Sequence, residues 1–189
     1  MSSTSAPFGF RPVYHPSGLD RATALAGGIA SGYNTGILKG QPVAYDTNGN
    51  IIIATAGSAF IGVFAGCEWT DVSGRRQINN QWIANTAYQN GSCIAYFYTD
   101  QQIVYEVQSN ATLAQTSIGD QANIASATAG STTTGLSAAM LGTVVGAGSQ
   151  GDFRILDVAP YADNAWGDPY VIVRVQISRQ QFTANIVAI

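Results

Sequence analysis

The chain has 189 residues, 46% of them hydrophobic and only 10% charged, with a formal net charge of −3 and a single lysine, Lys39. That length suits one large domain able to bury roughly 70% of its unfolded surface. The charge balance excludes a basic field that would hold nucleic acid by counterion release, and no run approaches the ~18 apolar residues of a membrane-spanning helix.

Ordinary soluble domains carry roughly 25% charged residues. Here Gly, Ala, Ser, Thr, Asn and Gln stand where charges usually do. A surface poor in Lys and Glu resembles the core of a protein interface, so the composition predicts an assembling protein rather than a monomer with a neutral polar surface.

Residues 1–20, MSSTSAPFGFRPVYHPSGLD, differ from the rest. Pro7, Pro12 and Pro16 exclude a regular helix and disfavour a central strand. Phe8, Phe10, Val13 and Tyr14 are too apolar for a free tail. The segment is predicted to be an extended arm whose aromatics lie on another surface, a neighbouring subunit or a larger partner. The alternative is an arm folded back on its own domain. Phe8, Phe10, Arg11 and Tyr14 are the candidate interface residues. Residues 22–36 contain too much Gly for a stable helix and are expected to form a brief apolar turn.

Residues 21–189 are expected to form a single β-rich domain. Its centre is the stretch from Gly36 to Glu68, a predicted three-stranded meander. Gln41–Asp46 is β-prone, with Pro42 near its start, where a missing N–H harms pairing least. Asp46–Asn50 supplies turn chemistry, and Ile51–Ile53 restarts a β-branched run. Phe60–Gly66 follows, with glycines that suggest a bulge or close backbone approach. Arg76–Ile83 and Ser92–Thr99 read as further strands. Within the second, Ile94, Tyr96 and Tyr98 share one face and Ala95, Phe97 and Thr99 the other, with both faces expected to be buried. In Ile103–Val107, Ile103, Tyr105 and Val107 point one way while Val104 and Glu106 point the other. Residues 111–140 are predicted to be long loops with short strands. Phe153–Ala159 and Tyr170–Ile177 complete the strands, and the apolar tail, residues 180–189, is expected to dock. The fold class is therefore all-β, an antiparallel β-barrel or sandwich with an extended N-terminal arm.

No pattern assembles catalytic, cofactor or metal chemistry, and none of the three is predicted. Gly146-Ala-Gly-Ser-Gln-Gly151 spells a dinucleotide fingerprint, but a strand-like run closed by Pro160 follows instead of a helix. His15, the only histidine, lies in the arm, where nothing would hold it rigidly against a nucleophile. Two cysteines and one distant histidine form no ligand set. Cys67 and Cys93 sit in apolar runs and are read as buried thiols, a disulfide remaining open. Asp163 and Asp168 flank Trp166 in a loop-like cluster that could instead bind a cation or a sugar. The N-terminus shows no secretory signal pattern.

Three stretches together resemble a family of small virion proteins of tailed bacteriophages. They are Ala6–Gly18, Lys39–Gly66 and Phe153–Val175. The resemblance implies a capsid decoration, or cement, protein: a β-rich subunit, often trimeric, bound to the major capsid protein at capsomer joints on the outside of the shell and assembled in the host cytoplasm. It implies no nucleic-acid or membrane partner and no enzymatic activity. A carbohydrate-binding β-domain of a head or tail fibre, with Trp69, Trp82 or Trp166 as stacking platform, is the alternative.

Overall fold

The computed structural model describes residues 4–17 and 24–183. In chain order the strands are β1 (Arg11–Tyr14), β2 (Ala24–Gly27), β3 (Pro42–Tyr45), β4 (Ile51–Ile53) and β5 (Gly62–Thr70). Next come β6 (Arg76–Asn79), β7 (Ile94–Tyr98), β8 (Val104–Gln108), β9 (Gln121–Ala125) and β10 (Gly130–Ser131). β11 (Leu136–Ser137), β12 (Met140–Val144), β13 (Phe153–Val158) and β14 (Ile172–Ile177) complete the set. Among the described residues the helical content is one 3-10 turn, Gln115–Ser117, and no helix is long and apolar enough to cross a membrane.

Twelve of these strands build two antiparallel sheets that pack face to face as a sandwich, and β10 and β11 pair as a separate antiparallel hairpin. Sheet I has the order β1-β8-β14-β13-β9-β12, and sheet II the order β2-β7-β5-β3-β4, with β6 added along β5. The predicted meander is present as β3, β4 and β5, with β3 between the other two. Asp46 Oδ1 ties its first turn by accepting the N–H groups of Asn48 and Asn50, each at 2.8 Å. The expected bulge lies in β5, where the register against β7 shifts between Phe64 and Gly66. Close backbone approach is found at Gly62, where any Cβ would sit 1.9 Å from the carbonyl oxygen of Tyr98.

Side chains alternate across a strand, and in sheet II both sets are apolar. Ala44, Ile52, Val63 and Tyr98 turn toward sheet I, where they meet Tyr105, Val107, Phe153, Val173 and Val175. Val43, Ile51, Phe64, Cys67, Ala95 and Phe97 turn the other way, onto Ile29, Ile37, Trp69 and Trp82. The molecule therefore has two apolar layers, one between the sheets and one between sheet II and a cover of loops. Asp152, fully buried, fastens the sheets together. Its Oδ2 accepts the N–H of Gly57 at 3.0 Å and of Ile124 at 2.8 Å.

Several expectations need correction. Residues 24–27 are a strand paired to β7 rather than a turn, because a sheet edge supplies the hydrogen bonds that its glycines cannot secure alone. β7 buries only the Ala95 and Phe97 face; Ile94, Tyr96 and Tyr98 are half-buried. The alternation expected in Ile103–Val107 is present, with Ile103, Tyr105 and Val107 in the inter-sheet core; both faces of β8 are buried, since Val104 and Glu106 are covered on the side away from the core. β6 ends at Asn79, short of the expected Ile83, where the chain turns to place Trp82 in the core. The Gly146–Gly151 stretch is the turn between β12 and β13. Residues 180–183 do dock: Gln180 bridges to Phe60, and the Gln181 side chain pairs with the backbone N–H and carbonyl of Tyr45 at 2.8 and 3.0 Å. Residues 184–189 of the predicted tail lie outside the described residues.

Candidate functional site

The arm is the one place where the predicted interface residues gather. It lies along the chain's own sandwich, with β1 as an edge strand of sheet I, Arg11 opposite Glu106 and Pro12 opposite Tyr105. Phe10 is fully buried. Its ring stacks on Phe153 at 4.3 Å between centroids, and Phe153 also meets Phe60 at 5.1 Å and Tyr105 at 6.2 Å. Phe10 is thus an anchor in the chain's own core and is withdrawn from the interface residues. The physical reason is that sheet I offers a pocket between Phe153 and β8, and the N–H of Phe10 finds Gly40 O at 2.9 Å.

Phe8, Arg11 and Tyr14 remain at the surface. Gly9, at φ +74°, turns the chain so that Phe8 escapes the pocket that Phe10 fills, and a Cβ there would stand 2.8 Å from Ser137 Cβ. Phe8 is half-buried, and Tyr14 is 41% exposed. The side chain of Arg11 is 54% exposed.

Glu106 organises this surface. Its Oε2 accepts hydrogen bonds from Arg11 Nη2 and from the Tyr161 hydroxyl, both at 2.6 Å, and Arg174 Nε stands 3.5 Å from Oε1. The Arg11 guanidinium also lies 4.9 Å from the centroid of the Phe8 ring, and that of Arg174 lies 5.5 Å from the Tyr14 ring. One buried carboxylate thus orients two cations, each stacked on an aromatic of the arm. Burial alone would raise the Glu106 carboxyl. The hydrogen bonds from Tyr161 and Arg11 and the charges of both arginines outweigh it and hold the group below its ordinary value.

Beside the arm runs a groove of about 440 Å³. Phe8, Arg11 and Pro12 form one bank, Lys39, Tyr98 and Leu136 the other, and Phe10 and Phe64 lie along the floor. The far bank is stitched by backbone bonds. Lys39 N–H donates to Gly135 O and Ser137 N–H donates to Lys39 O, both at 2.9 Å. Sequence reasoning missed Lys39, Leu136 and Glu106 as parts of this surface. Only Glu106 carried a signal, as the lone carboxylate in the apolar run Ile103–Val107.

The other singled-out groups lie elsewhere. His15 Nε2 is 3.2 Å from Asp100 Oδ2, and its Nδ1 is 2.6 Å from Ser17 Oγ, which pins the end of the arm. Cys67 and Cys93 are buried free thiols; burial pushes the Cys67 thiol up to about 12. Trp69 and Trp82 are buried and cannot serve as stacking platforms, and Trp166 is half-buried against the inter-sheet core. The Asp163–Asp168 stretch is a loop, in which Asp168 Oδ2 accepts the N–H of Ala165 at 3.0 Å. No family model, curated protein or solved structure matches the chain.

Proposed function

We propose that the chain is a structural virion protein that binds the outside of a phage capsid and stabilises the joints between capsomers. The observation that carries this reading is the character of the surface. Nine large hydrophobic residues are exposed among the described residues, with Ile78 at 79%, Val72 at 70% and Phe182 at 68%, on a chain only 10% charged. A surface this poor in charge suits lasting contact with other proteins better than free solution. The three stretches that carry the family resemblance also meet in space: Phe10 of the first stacks on Phe153 of the third and bonds Gly40 of the second. The rival glycan-binding reading loses two of its three tryptophan platforms to burial.

Mixing the purified protein with undecorated shells of its own phage tests the reading. Co-sedimentation at a copy number comparable to the major capsid protein is the expected result, and no association at micromolar concentration would overturn it. Self-association belongs to the same reading. Analytical ultracentrifugation should give three times the 19.7 kDa chain mass, and a monomer at all concentrations would remove the trimer.

A further inference from the structure

We infer that the groove beside the arm is a peptide site, taking an extended segment of the partner protein in which an Asp or Glu is flanked by apolar side chains. The inference rests on the virion reading only for which protein supplies that segment; the chemistry follows from the groove.

Its walls and floor are apolar and aromatic, and its volume of about 440 Å³ lies within the roughly 300–1,000 Å³ of ordinary ligand sites. That accommodates a few side chains, not a folded domain. The cations beside it are not equivalent. Arg11 is held by Glu106 and Tyr161. Lys39, the one lysine of the chain, has no carboxylate within ion-pairing distance among the described residues. Its side chain is exposed, while its backbone is fixed on both sides by Gly135 and Ser137. Next to it Leu136 is 49% exposed, although its backbone forms a bridge with that of Lys39. An uncommitted ammonium on a rigid backbone, beside an uncovered leucine and the Phe8 ring, is complementary to a carboxylate with apolar neighbours. One uncommitted cation at the groove, on a chain of net charge −3, is too little for a polyphosphate backbone. Recognition by strand addition along β1 is hindered as well, because Pro12 in that edge strand has no N–H to donate. Side chains, rather than backbone pairing, must therefore carry the selectivity.

Panning a displayed random octapeptide library on the full chain tests the inference without any capsid. Enriched sequences should carry one Asp or Glu among Leu, Ile, Val or aromatic residues. With the strongest peptide resynthesised, Lys39→Gln should weaken binding about threefold to fivefold, as an exposed ion pair does. The same substitution should leave the affinity for the peptide's Asn or Gln analogue unchanged. Leu136→Ser should weaken both peptides about tenfold. Both residues are exposed, and an unchanged melting temperature verifies that the variants fold. No enrichment, enrichment without acidic bias, or indifference to Lys39→Gln would overturn the inference. The outcomes separate it from the virion reading. Shell binding that survives both substitutions in the absence of any peptide preference sinks the groove and leaves the reading; peptide selectivity without shell binding does the reverse.

Discussion

The two apolar layers flanking sheet II are sealed by different means. The inter-sheet layer is closed by a second sheet, so its residues come from alternating positions on regular ladders, and its aromatic centre is Phe153 with Phe10, Phe60 and Tyr105 around it. The outer layer is closed by loops. Its cover is joined by scattered backbone bonds: Ile37 N–H to Trp82 O at 3.1 Å, Trp82 N–H to Ile37 O at 2.7 Å, Gly32 N–H to Thr86 O at 2.9 Å and Asn85 N–H to Tyr33 O at 2.8 Å. The Trp82 ring itself fills the centre, against Trp69 and Tyr88. A ladder repeats its bonds at regular steps, whereas the loop cover is held by irregular bonds gathered around one large side chain.

The sharpest way to break this comparison is to remove each centre. Phe153→Ala should cost about 3–5 kcal/mol, visible in urea as one cooperative loss of both sheets. Trp82→Ala should cost a similar amount, but hydrogen exchange should show the damage concentrated in residues 29–37 and 82–88, which lack a ladder to hold them. Equal loss of protection in both layers would show that the loop cover is as cooperative as the sheets. Next in size, Phe10→Ala should cost about 3 kcal/mol. Phe8→Ala, two positions away but at the surface, should cost less than about 1 kcal/mol. Equal effects from the two would erase the distinction between anchor and surface.

Glu106→Gln should cost about 1–2 kcal/mol, since Arg11 is half in solvent. The pH dependence gives the sign. Because the folded-state value of Glu106 is lowered, its contribution is present above the ordinary value of 4.5 and is lost as pH falls through the folded value. Asp152 works in the opposite sense. Desolvation raises it above 3.8 despite its bonds from Gly57 and Ile124, so its contribution is complete at low pH and declines as pH rises through the folded value. Thermal melts of the wild type between pH 3 and 6 should show the Glu106 loss on the acid side. In Glu106→Gln that loss should shrink, leaving the smaller acid-side losses of the carboxylates Asp46, Glu68 and Asp71, whose values are also lowered, against the opposite slope of Asp152. The smallest effect belongs to Ile78→Thr. At 79% exposure it should move stability by no more than about 0.5 kcal/mol, and a larger destabilisation would mean that β6 belongs to a core not described above.

Much of sheet II was legible because its signals are local. Asp46–Asn50 writes its own turn, and the β-branched run Ile51–Ile53 and the bulge glycine of β5 follow from short-range chemistry. What covers a strand is not local. The run Ile94–Tyr98 looks buried throughout, yet one of its faces is only partly covered, and nothing in its own residues says so. Trp82, in the polar phrase Asn80-Gln-Trp-Ile-Ala-Asn, shows no sign of being the centre of a core. The arm was legible as extended and aromatic, but its partner strand lies about 95 positions away, from Arg11 to Glu106, beyond any local pattern. The same distance hid the groove, whose two banks come from the arm, the Lys39 loop and the β10–β11 hairpin.

The stacking of Phe10 on Phe153 also has a consequence for synthesis in the cell. The two residues lie 143 positions apart (153 minus 10), so at the usual pace of translation Phe10 leaves the ribosome roughly 7–30 s before the ring that receives it. Throughout that interval the arm lacks the ring that receives it, and until residues 104–108 are made β8, its ladder partner, is also still to come. On a polysome, where several copies emerge side by side, the receiving pocket of an older chain is completed while the arms of younger ones are still bare. The order in which the chain is made therefore sets an interval in which the arm is open, and its stacking on its own sandwich comes only after Phe153 is in place.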